Sequence, residues 1–138
     1  MPDLNVWLAL ATARHQHHAA AAAWIDSVDS GEIVFCRVTQ VGLLRLLSNR
    51  AVMGPELLSP SKAWEVFDAI AADPRVRFAS EPPGVEPIWR RLTAMETPLV
   101  SGWTDMYLLA YSRAEDLRLV TFDRSLQAHS PAEIMLLG

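Results

Sequence analysis

The sequence has one cysteine, one lysine and no long apolar run, and each of these scarcities excludes a class of protein. Its single cysteine, Cys36, allows no intrachain disulfide, so we expect a reducing compartment. No apolar run approaches the roughly 20 residues that span a bilayer, and Asp3 stands where a signal peptide would carry Lys or Arg. These features predict a soluble cytoplasmic protein that has no membrane partner.

Positive charge is also scarce. The formal net charge is −4 and the pI is about 5.5, which gives no global electrostatic reason to bind nucleic acid. Eleven of the twelve basic residues are nevertheless Arg, which binds phosphate in a bidentate way better than Lys does. Codon bias in a GC-rich genome explains the arginines equally well, so composition leaves a phosphate ligand open.

The chain does have enough apolar sequence for one core. Of its 138 residues, 51% are hydrophobic and 20% are charged, which excludes disorder as a global description. A chain of this size needs neither a disulfide nor a metal to fold, and no repeat or low-complexity linker divides it. We therefore predict a single domain over residues 1–138.

Short buried strands alternate with helices along the sequence. Apolar spacing predicts helices over 4–13, 15–30, 40–47, 62–72, 85–95 and 105–115, with Thr39 and Thr104 as N-caps. Short apolar or alternating runs predict strands over 32–36, 75–79, 117–121 and 133–137. This order predicts an α/β fold, a three-layer α/β/α sandwich around a mainly parallel sheet of four to five strands.

Three aspartates fall at junctions between elements, where open parallel sheets bind their ligands. Asp123 follows a predicted strand with only Phe122 between them, and Asp3 stands at the first strand-to-helix junction. Asp105 opens a helix after a loop, near the positive end of the helix dipole. We expect the three carboxylates to converge at one point.

Clustered carboxylates repel one another and persist mainly where a hard cation neutralises them. Oxygen ligands without Cys or His favour Mg²⁺ or Mn²⁺ over Zn²⁺, and such an ion has the chemistry needed for phosphodiester hydrolysis. The alternative is that each Asp only caps a helix or a turn. His15, His17 and His18 lack an acid or Cys to complete a zinc site, so we expect them to have a surface or packing role.

Four motifs resemble those of the PIN domain family and occur in the family's order. Asp3-Leu-Asn5-Val-Trp-Leu resembles its opening motif, an Asp followed two residues later by Asn or Asp. Trp103-Thr-Asp105-Met-Tyr-Leu and Leu119-Val-Thr-Phe-Asp123-Arg124 resemble its later acidic motifs. The stretch 38–49 resembles a VapC subgroup. The similarity is to VapC-type toxins of type II toxin–antitoxin modules and runs from residue 3 to about residue 126.

This resemblance implies a PIN-like fold and a metal-dependent endoribonuclease that cleaves RNA. It also implies restraint by a VapB-type antitoxin, in a toxin–antitoxin hetero-oligomer, and a homodimeric state. Carried over by motif, Asp3, Asp105 and Asp123 become the catalytic carboxylates that bind Mg²⁺ or Mn²⁺. Asn5 and Thr121 match polar positions that hold these carboxylates in place. We expect Arg124, which adjoins Asp123, and Arg45 to contact RNA phosphates; for Arg124 a structural ion pair is the alternative.

Two departures from the family pattern bear on activity. Gly42 stands where most PIN nucleases have a Glu, so we expect one metal, or a second brought by the phosphate, and a corner that holds water or nothing. Only Met1 and Pro2 precede Asp3, so we expect a short first strand, and weak activity is consistent with that.

The same departures leave other functions open. A PIN domain that binds RNA or its antitoxin without cutting is the main alternative. A structural protein–protein module whose aspartates are only caps is a third. A phosphoacceptor domain of similar fold is disfavoured, because it would need a Lys near the last strand and Lys62 is the one lysine.

Overall fold

The computed structural model describes residues 1–29 and 33–138. The α-helices in these ranges are α1 (Leu4–Ala11), α2 (His18–Asp26), α3 (Arg37–Leu47), α4 (Arg50–Met53), α5 (Pro60–Ala71), α6 (Val85–Leu92), α7 (Trp103–Ala114) and α8 (Arg124–His129). The strands are β1 (Ile33–Cys36), β2 (Val76–Ala79), β3 (Leu119–Thr121) and β4 (Ile134–Leu136). None of the described helices is both long and apolar enough to cross a membrane.

The elements follow the predicted alternation but are mostly shorter than predicted. The helix predicted over 15–30 begins only at His18 and ends at Asp26, because turns occupy the segment before it. The predicted strand 32–36 is β1 from Ile33 onward, and Glu32 lies outside the described residues.

All strand pairing within the described ranges is parallel. Phe35 of β1 lies opposite Phe78 of β2, and Val120 of β3 lies opposite Met135 of β4. Backbone hydrogen bonds therefore join the four described strands as two pairs, β1 with β2 and β3 with β4. Parallel pairing requires crossover connections, which the intervening helices supply.

The short first strand is reduced to a single bridge with β3. Pro2 bridges Val120 in parallel fashion, the Val120 N–H donates to the Met1 carbonyl at 2.8 Å, and the Asp3 N–H donates to the Val120 carbonyl at 2.8 Å. This pairing places Asp3 beside the end of β3.

The side chains of β1 alternate between two apolar cores. Ile33 and Phe35 pack in a core with residues of α1, α3 and α5, whereas Val34 and Cys36 pack in a second core with residues of α6 and α7. Neighbouring side chains of a strand point to opposite faces, so helices cover the sheet on both sides. The predicted α/β fold with helices on both sides of parallel strands is confirmed, but the described strands form two hydrogen-bonded pairs and not one sheet of four to five strands.

The predicted N-cap at Thr39 is wrong. Helix α3 begins at Arg37, and Thr39 lies within its first turn. The Thr39 hydroxyl accepts a hydrogen bond from the Cys36 N–H at 3.1 Å and donates to the Cys36 carbonyl at 2.9 Å. The N–H groups at the start of a helix lack partners within the helix. A side chain at the third helical position can accept a hydrogen bond from the N–H of the cap residue, as Thr39 does here.

The predicted N-cap at Thr104 is wrong for the same reason. Helix α7 begins at Trp103, with Gly102 in the cap position. The residue that bonds back to the cap is Asp105, not Thr104. This shift places the Asp105 carboxylate in the first turn of α7 instead of at its first residue.

Candidate active site

Asp3 lies beside the end of β3, where the chain leaves the Pro2 bridge and enters α1. It is the N-cap of α1, and its Oδ1 accepts a hydrogen bond from the Val6 N–H at 2.8 Å. Its Oδ2 accepts a second bond, at 2.5 Å, from the Thr121 hydroxyl at the end of β3. Only 2% of the Asp3 surface is exposed, so these donors replace the water that burial removes.

Burial nevertheless governs the protonation of Asp3. The pKa of its carboxyl is raised from 3.8 to about 6, chiefly by desolvation and to a smaller extent by the nearby Asp105 carboxylate. Hydrogen bonds from Thr121 and Val6 act in the opposite direction but do not outweigh burial. A cation bound beside Asp3 would reverse this shift, since it stabilises the charged form.

Asp105 lies in the first turn of α7 and is half-buried. Its Oδ2 accepts a hydrogen bond from the Gly102 N–H at 2.9 Å. Burial raises the pKa of the Asp105 carboxyl, the bond from Gly102 opposes that shift, and the Asp123 carboxylate adds to it. Asp105 therefore repels both other acids of the predicted site.

Asp123 is the N-cap of α8 and follows β3 by one residue. Its Oδ1 accepts hydrogen bonds from the Ser125 hydroxyl and the Ser125 N–H, both at 2.7 Å. The hydroxyl bond is the main reason that the pKa of the Asp123 carboxyl lies below its ordinary value. Asp123 keeps its negative charge more readily than Asp3, because its partners bond to the charged form.

Thr121 connects two of these acids. Its hydroxyl donates to Asp3 and accepts a hydrogen bond from the Asp123 N–H at 2.9 Å. The hydroxyl can do both because it has one donor and two acceptor positions. The end of β3 thus holds Asp3 and the start of α8 together.

Two serines connect the start of α8 to the segment that precedes α7 and Asp105. The Ser125 hydroxyl, which bonds to Asp123, lies 3.5 Å from the Ser101 hydroxyl. Ser101 is buried in the segment that leads directly into α7 and Asp105. The Asp105 carboxylate raises the pKa of Asp3 and the Asp123 carboxylate raises that of Asp105, so Asp105 lies within electrostatic reach of both other acids.

The donor set fits a hard divalent cation. The three acids supply oxygen ligands, and each carboxylate oxygen can accept more than one bond, so the hydrogen bonds present leave positions free. In residues 1–29 and 33–138, no group of three His, Cys, Asp or Glu side chains is close enough together to hold a metal ion by itself. The chemistry of the three acids, oxygen ligands without Cys or His, would suit Mg²⁺ better than Zn²⁺, since Mg²⁺ keeps several waters and is held by one or two carboxylates plus substrate phosphates.

The two polar positions predicted to hold the carboxylates differ. Thr121 is buried and bonds directly to Asp3. Asn5 is exposed in the first turn of α1, and what it offers Asp3 is a hydrogen bond from its backbone N–H. Within the described residues, the Asn5 side chain has no hydrogen bond to an acid of the site.

Both predicted phosphate-binding arginines are exposed. Arg124 is the first residue of α8, next to Asp123. Arg45 lies on α3 and lines a cavity of about 360 Å³ together with Leu4 and Thr104, the chain neighbours of Asp3 and Asp105.

Gly42 packs against the end of the Leu4 side chain. A Cβ at position 42 would lie 2.8 Å and 3.0 Å from the two terminal carbons of Leu4, so a larger residue requires that end of Leu4 to move. Gly42 and Leu4 both line the cavity of about 360 Å³ that also contains Arg45, so open space lies next to Gly42.

The histidines near α2 have packing roles. The His17 ring stacks on Phe122 at a centroid distance of 4.3 Å, and the His18 Nδ1 lies 2.7 Å from the Ala9 carbonyl. Neither contact involves a carboxylate. The expectation of a packing role stands for these two residues.

Comparison of the sequence with known proteins identifies the family of this chain. The PIN domain family model matches residues 1–130. The chain belongs to the PIN domain family. This PIN domain is 40% identical over 141 residues to ribonuclease VapC41 of Mycobacterium tuberculosis, covering 99% of this chain and 97% of the relative. It is 31% identical to ribonuclease VapC38 of the same organism, covering 88% and 82%.

Solved structures share the fold. A crystal structure of VapBC2 from Rickettsia felis, bound to a DNA fragment from their promoter, has a TM-score of 0.77 at 11% identity, covering 100% of this chain and 98% of that one. The M. tuberculosis toxin VapC20, described as cleaving the sarcin-ricin loop, has a TM-score of 0.71 at 17% identity, with coverages of 94% and 93%. At these identities the likeness establishes the PIN fold alone.

Sequence reasoning missed three residues at the site of this PIN domain. Ser125 follows Asp123 by two positions, the spacing at which an Asp side chain bonds its own backbone two residues on, so this contact had a local signal. Ser101 and Leu4 had none, because their roles depend on segments distant in sequence.

Proposed function

We propose that this PIN domain is an Mg²⁺- or Mn²⁺-dependent endoribonuclease of the VapC type and the toxin of a toxin–antitoxin module. The observation that carries the proposal is that Thr121 joins Asp3 to the Asp123 backbone at the end of β3, with Asp105 within electrostatic reach of both acids; burial and a neighbouring carboxylate raise the pKa of Asp3 and of Asp105. Structural caps alone do not require such repulsion, whereas a cation offsets it. The names of relatives at 31–40% identity support ribonuclease activity.

Each acid has a distinct part in this mechanism. Asp3 at the start of α1, Asp105 in the first turn of α7 and Asp123 at the start of α8 would hold the cation, and the lowered pKa of Asp123 keeps its carboxylate charged. A divalent ion bound there supplies a phosphate-oxygen ligand position and a water of lowered pKa. Thr121 orients Asp3 through its hydroxyl.

The arginines bind the rest of the substrate. Arg124 and Arg45 hold phosphates on either side of the carboxylate edge, where their exposure leaves them accessible. Attack by water in line with the leaving oxygen breaks one P–O bond and leaves 5′-phosphate and 3′-hydroxyl ends. The leaving 3′ oxygen takes up a proton in this step.

The protein partners follow from the toxin assignment. We expect a VapB-type antitoxin that places an Arg near the three carboxylates, where it would neutralise them as the cation does. A homodimer is expected as the toxin unit. Co-expression of the neighbouring antitoxin gene should yield a hetero-oligomer in which RNA cleavage is suppressed.

RNA cleavage with and without divalent metal tests the proposal. The wild-type protein should cut RNA in Mg²⁺ or Mn²⁺ and stop in EDTA, and Asp105→Asn should abolish cutting while the fold is retained. Asp68→Asn, an exposed acid on α5, is the matched control and should cut normally. Cleavage that continues in EDTA, or in purified Asp105→Asn, would remove the carboxylates and their metal from the mechanism.

A PIN domain that binds RNA without cutting remains the second candidate. It is favoured by Gly42, the position at which the resemblance to PIN nucleases implies a Glu, because the site then has three carboxylates in place of four. Metal-independent RNA binding by wild-type protein with no product in Mg²⁺ or Mn²⁺ would establish it over the nuclease.

A further inference from the structure

An exposed tryptophan stands beside the carboxylates. Trp103 begins α7, two residues before Asp105, and 63% of its surface is exposed. Its ring contacts Trp89 edge to face, with centroids 6.0 Å apart, so this contact covers at most one face of the Trp103 ring. Leaving so large an apolar side chain in water is unfavourable, and exposed aromatic rings are frequent in binding sites.

Trp89 of α6 holds the Trp103 ring against α7, the helix that carries both Trp103 and Asp105. Trp89 contacts Tyr107 of α7 edge to face, with centroids 5.3 Å apart. The buried Tyr107 in turn donates its hydroxyl hydrogen bond to the Glu81 carboxylate at 2.7 Å. A planar group stacked on Trp103 would therefore be held at a set distance from the carboxylates.

Two cavities join to form a groove that runs from Trp103 across α3. One, of about 330 Å³, includes Trp103 in its wall, and the other, of about 360 Å³, includes Arg37 and Arg45. Val38 and Thr104 line both cavities, so the two are continuous. We call this continuous space the α3–α7 groove.

The groove has an aromatic end and a cationic end, and its wall includes Leu4 and Thr104, the chain neighbours of Asp3 and Asp105. Arg37 lies with its guanidinium 4.8 Å from the centroid of the Phe78 ring and donates to the Gln40 side chain. Neither Arg37 nor Arg45 belongs to an ion pair among the described residues. Their charge is thus available to an anionic ligand that passes the carboxylate edge.

We propose that the α3–α7 groove binds single-stranded RNA, with one base stacked on Trp103 and backbone phosphates held by Arg37 and Arg45. This inference rests on the proposed ribonuclease function and names where the substrate is recognised. Stacking on an aromatic ring combined with cationic contacts to the backbone is the usual mode of single-strand binding. Duplex RNA is excluded from this mode, because its bases remain stacked on one another.

Binding by a non-cleaving form of the full chain tests the base contact. Fluorescein-labelled oligoadenylate and an RNA duplex of equal length are titrated with Asp105→Asn protein in EDTA. Trp103→Ala in that background should weaken oligoadenylate binding by about tenfold to a hundredfold, the range for loss of one stacked base. Trp103→Phe should retain most of the binding, and the duplex should bind weakly to every variant.

Trp64 offers a matched control for the tryptophan substitution. It is 46% exposed and contacts Phe67 edge to face on α5, outside the groove. Trp64→Ala should leave oligoadenylate binding unchanged. Equal losses for the two alanine variants would overturn a specific role for Trp103.

Abasic RNA distinguishes stacking from a general loss of structure. A series of oligoadenylates carries one abasic nucleotide, each at a different position. At one of these positions the missing base should weaken binding as much as Trp103→Ala does. Combined with Trp103→Ala, that abasic position should have no further effect, because both changes remove the same contact. Additive losses at all positions would overturn the stacking contact.

The arginines have a different readout. Arg37→Gln or Arg45→Gln should each reduce the salt dependence of oligoadenylate binding, by about 0.7 in the slope of log K against log salt for each lost phosphate contact. Trp103→Ala should leave that slope unchanged. A slope unaffected by either arginine would place the backbone elsewhere.

The outcome also separates this inference from the proposed function. If wild-type protein cuts RNA but Trp103→Ala alters neither binding nor the cut sites, the groove proposal fails and the nuclease stands. If Trp103-dependent binding persists while wild-type protein cuts nothing, the groove proposal is supported and the nuclease fails. If Trp103→Ala weakens only binding of the antitoxin, the groove is a protein-binding site and the RNA proposal is overturned.

Discussion

Thr121 and Asp3 are 118 positions apart in the sequence and share a hydrogen bond of 2.5 Å. The bond joins the end of β3 to the N-cap of α1, and both residues are buried. Asp3 is thereby held as an acceptor in a place where its charge is poorly solvated. This contact links the stability of the fold to the protonation of the candidate site.

Removing the Thr121 hydroxyl should destabilise the protein. Thr121→Val keeps the shape and leaves Asp3 Oδ2 and the Asp123 N–H without that partner, at a cost of about 1–3 kcal/mol. Urea unfolding at neutral pH measures the loss. Ser112→Ala removes another buried hydroxyl, which bonds only to the Leu109 carbonyl of its own helix. Its effect should be independent of pH, whereas that of Thr121→Val should shrink once Asp3 is protonated; equal pH profiles would contradict this prediction.

Asp3 should make the protein less stable as pH rises. Its pKa is raised by burial from 3.8 to about 6, so between these values the folded state holds a proton that the unfolded state has released. The contribution to stability is fully present below pH 3.8 and is lost as pH rises through about 6. Asp3→Asn keeps the N-cap acceptor and removes the charge.

The difference in unfolding free energy between Asp3→Asn and wild type isolates this residue. It should favour the variant increasingly from pH 3.8 to about 6, by on the order of 3 kcal/mol in total, and then level off. Asp123→Asn is the contrasting case, since the pKa of Asp123 is lowered by Ser125 and its charge stabilises the fold. A pH-independent difference for Asp3→Asn would show that Asp3 is not protonated in the folded state.

Divalent metal should stabilise the protein through Asp105. Mn²⁺ at about 100 times its dissociation constant adds about 2.7 kcal/mol to stability, on the order of 5–10 °C in melting temperature for a domain of this size. The shift should be larger above pH 6 than below it, because Asp3 must release its proton to bind a cation. Asp105→Asn should remove most of the shift and Asp68→Asn should leave it intact. A shift that survives in Asp105→Asn would place the metal elsewhere.

An added carboxylate at position 42 should strengthen metal binding. Gly42→Glu gains roughly 0.5–1 kcal/mol in helix propensity but must move the end of Leu4, which lies 2.8 Å from the new Cβ position. Gly42→Gln matches it in shape and lacks the charge. The Mn²⁺-induced rise in melting temperature should be larger for Glu than for Gln. Equal rises would mean that position 42 does not face the carboxylates.

Local sequence determined the elements and the set of acids. β1 is recognisable as a buried strand because its four residues are all apolar, and Asp123 is placed at the end of β3 by chain connectivity alone. The order of acidic motifs identified the family before any coordinates were available. These features depend on neighbours in the chain, which the sequence lists directly.

Helix starts were less predictable, because two residue types can satisfy the same free N–H groups. Thr39 and Asp105 bond back to the cap residue from within the first turn, a role that resembles capping in the sequence. A threonine in this position therefore indicates that a helix begins nearby, but it does not specify the first helical residue.

The protonation of Asp3, the packing of Leu4 against Gly42 and the groove beside Trp103 were decided by tertiary structure alone. Each depends on a contact between distant segments: Thr121 with Asp3, Leu4 with Gly42, and α3 with α7. Desolvation and steric filling are properties of the packed interior, where the partners of a residue come from any part of the chain. The sequence determined which acids are present, and the packing around them determined their charge and what lies beside them.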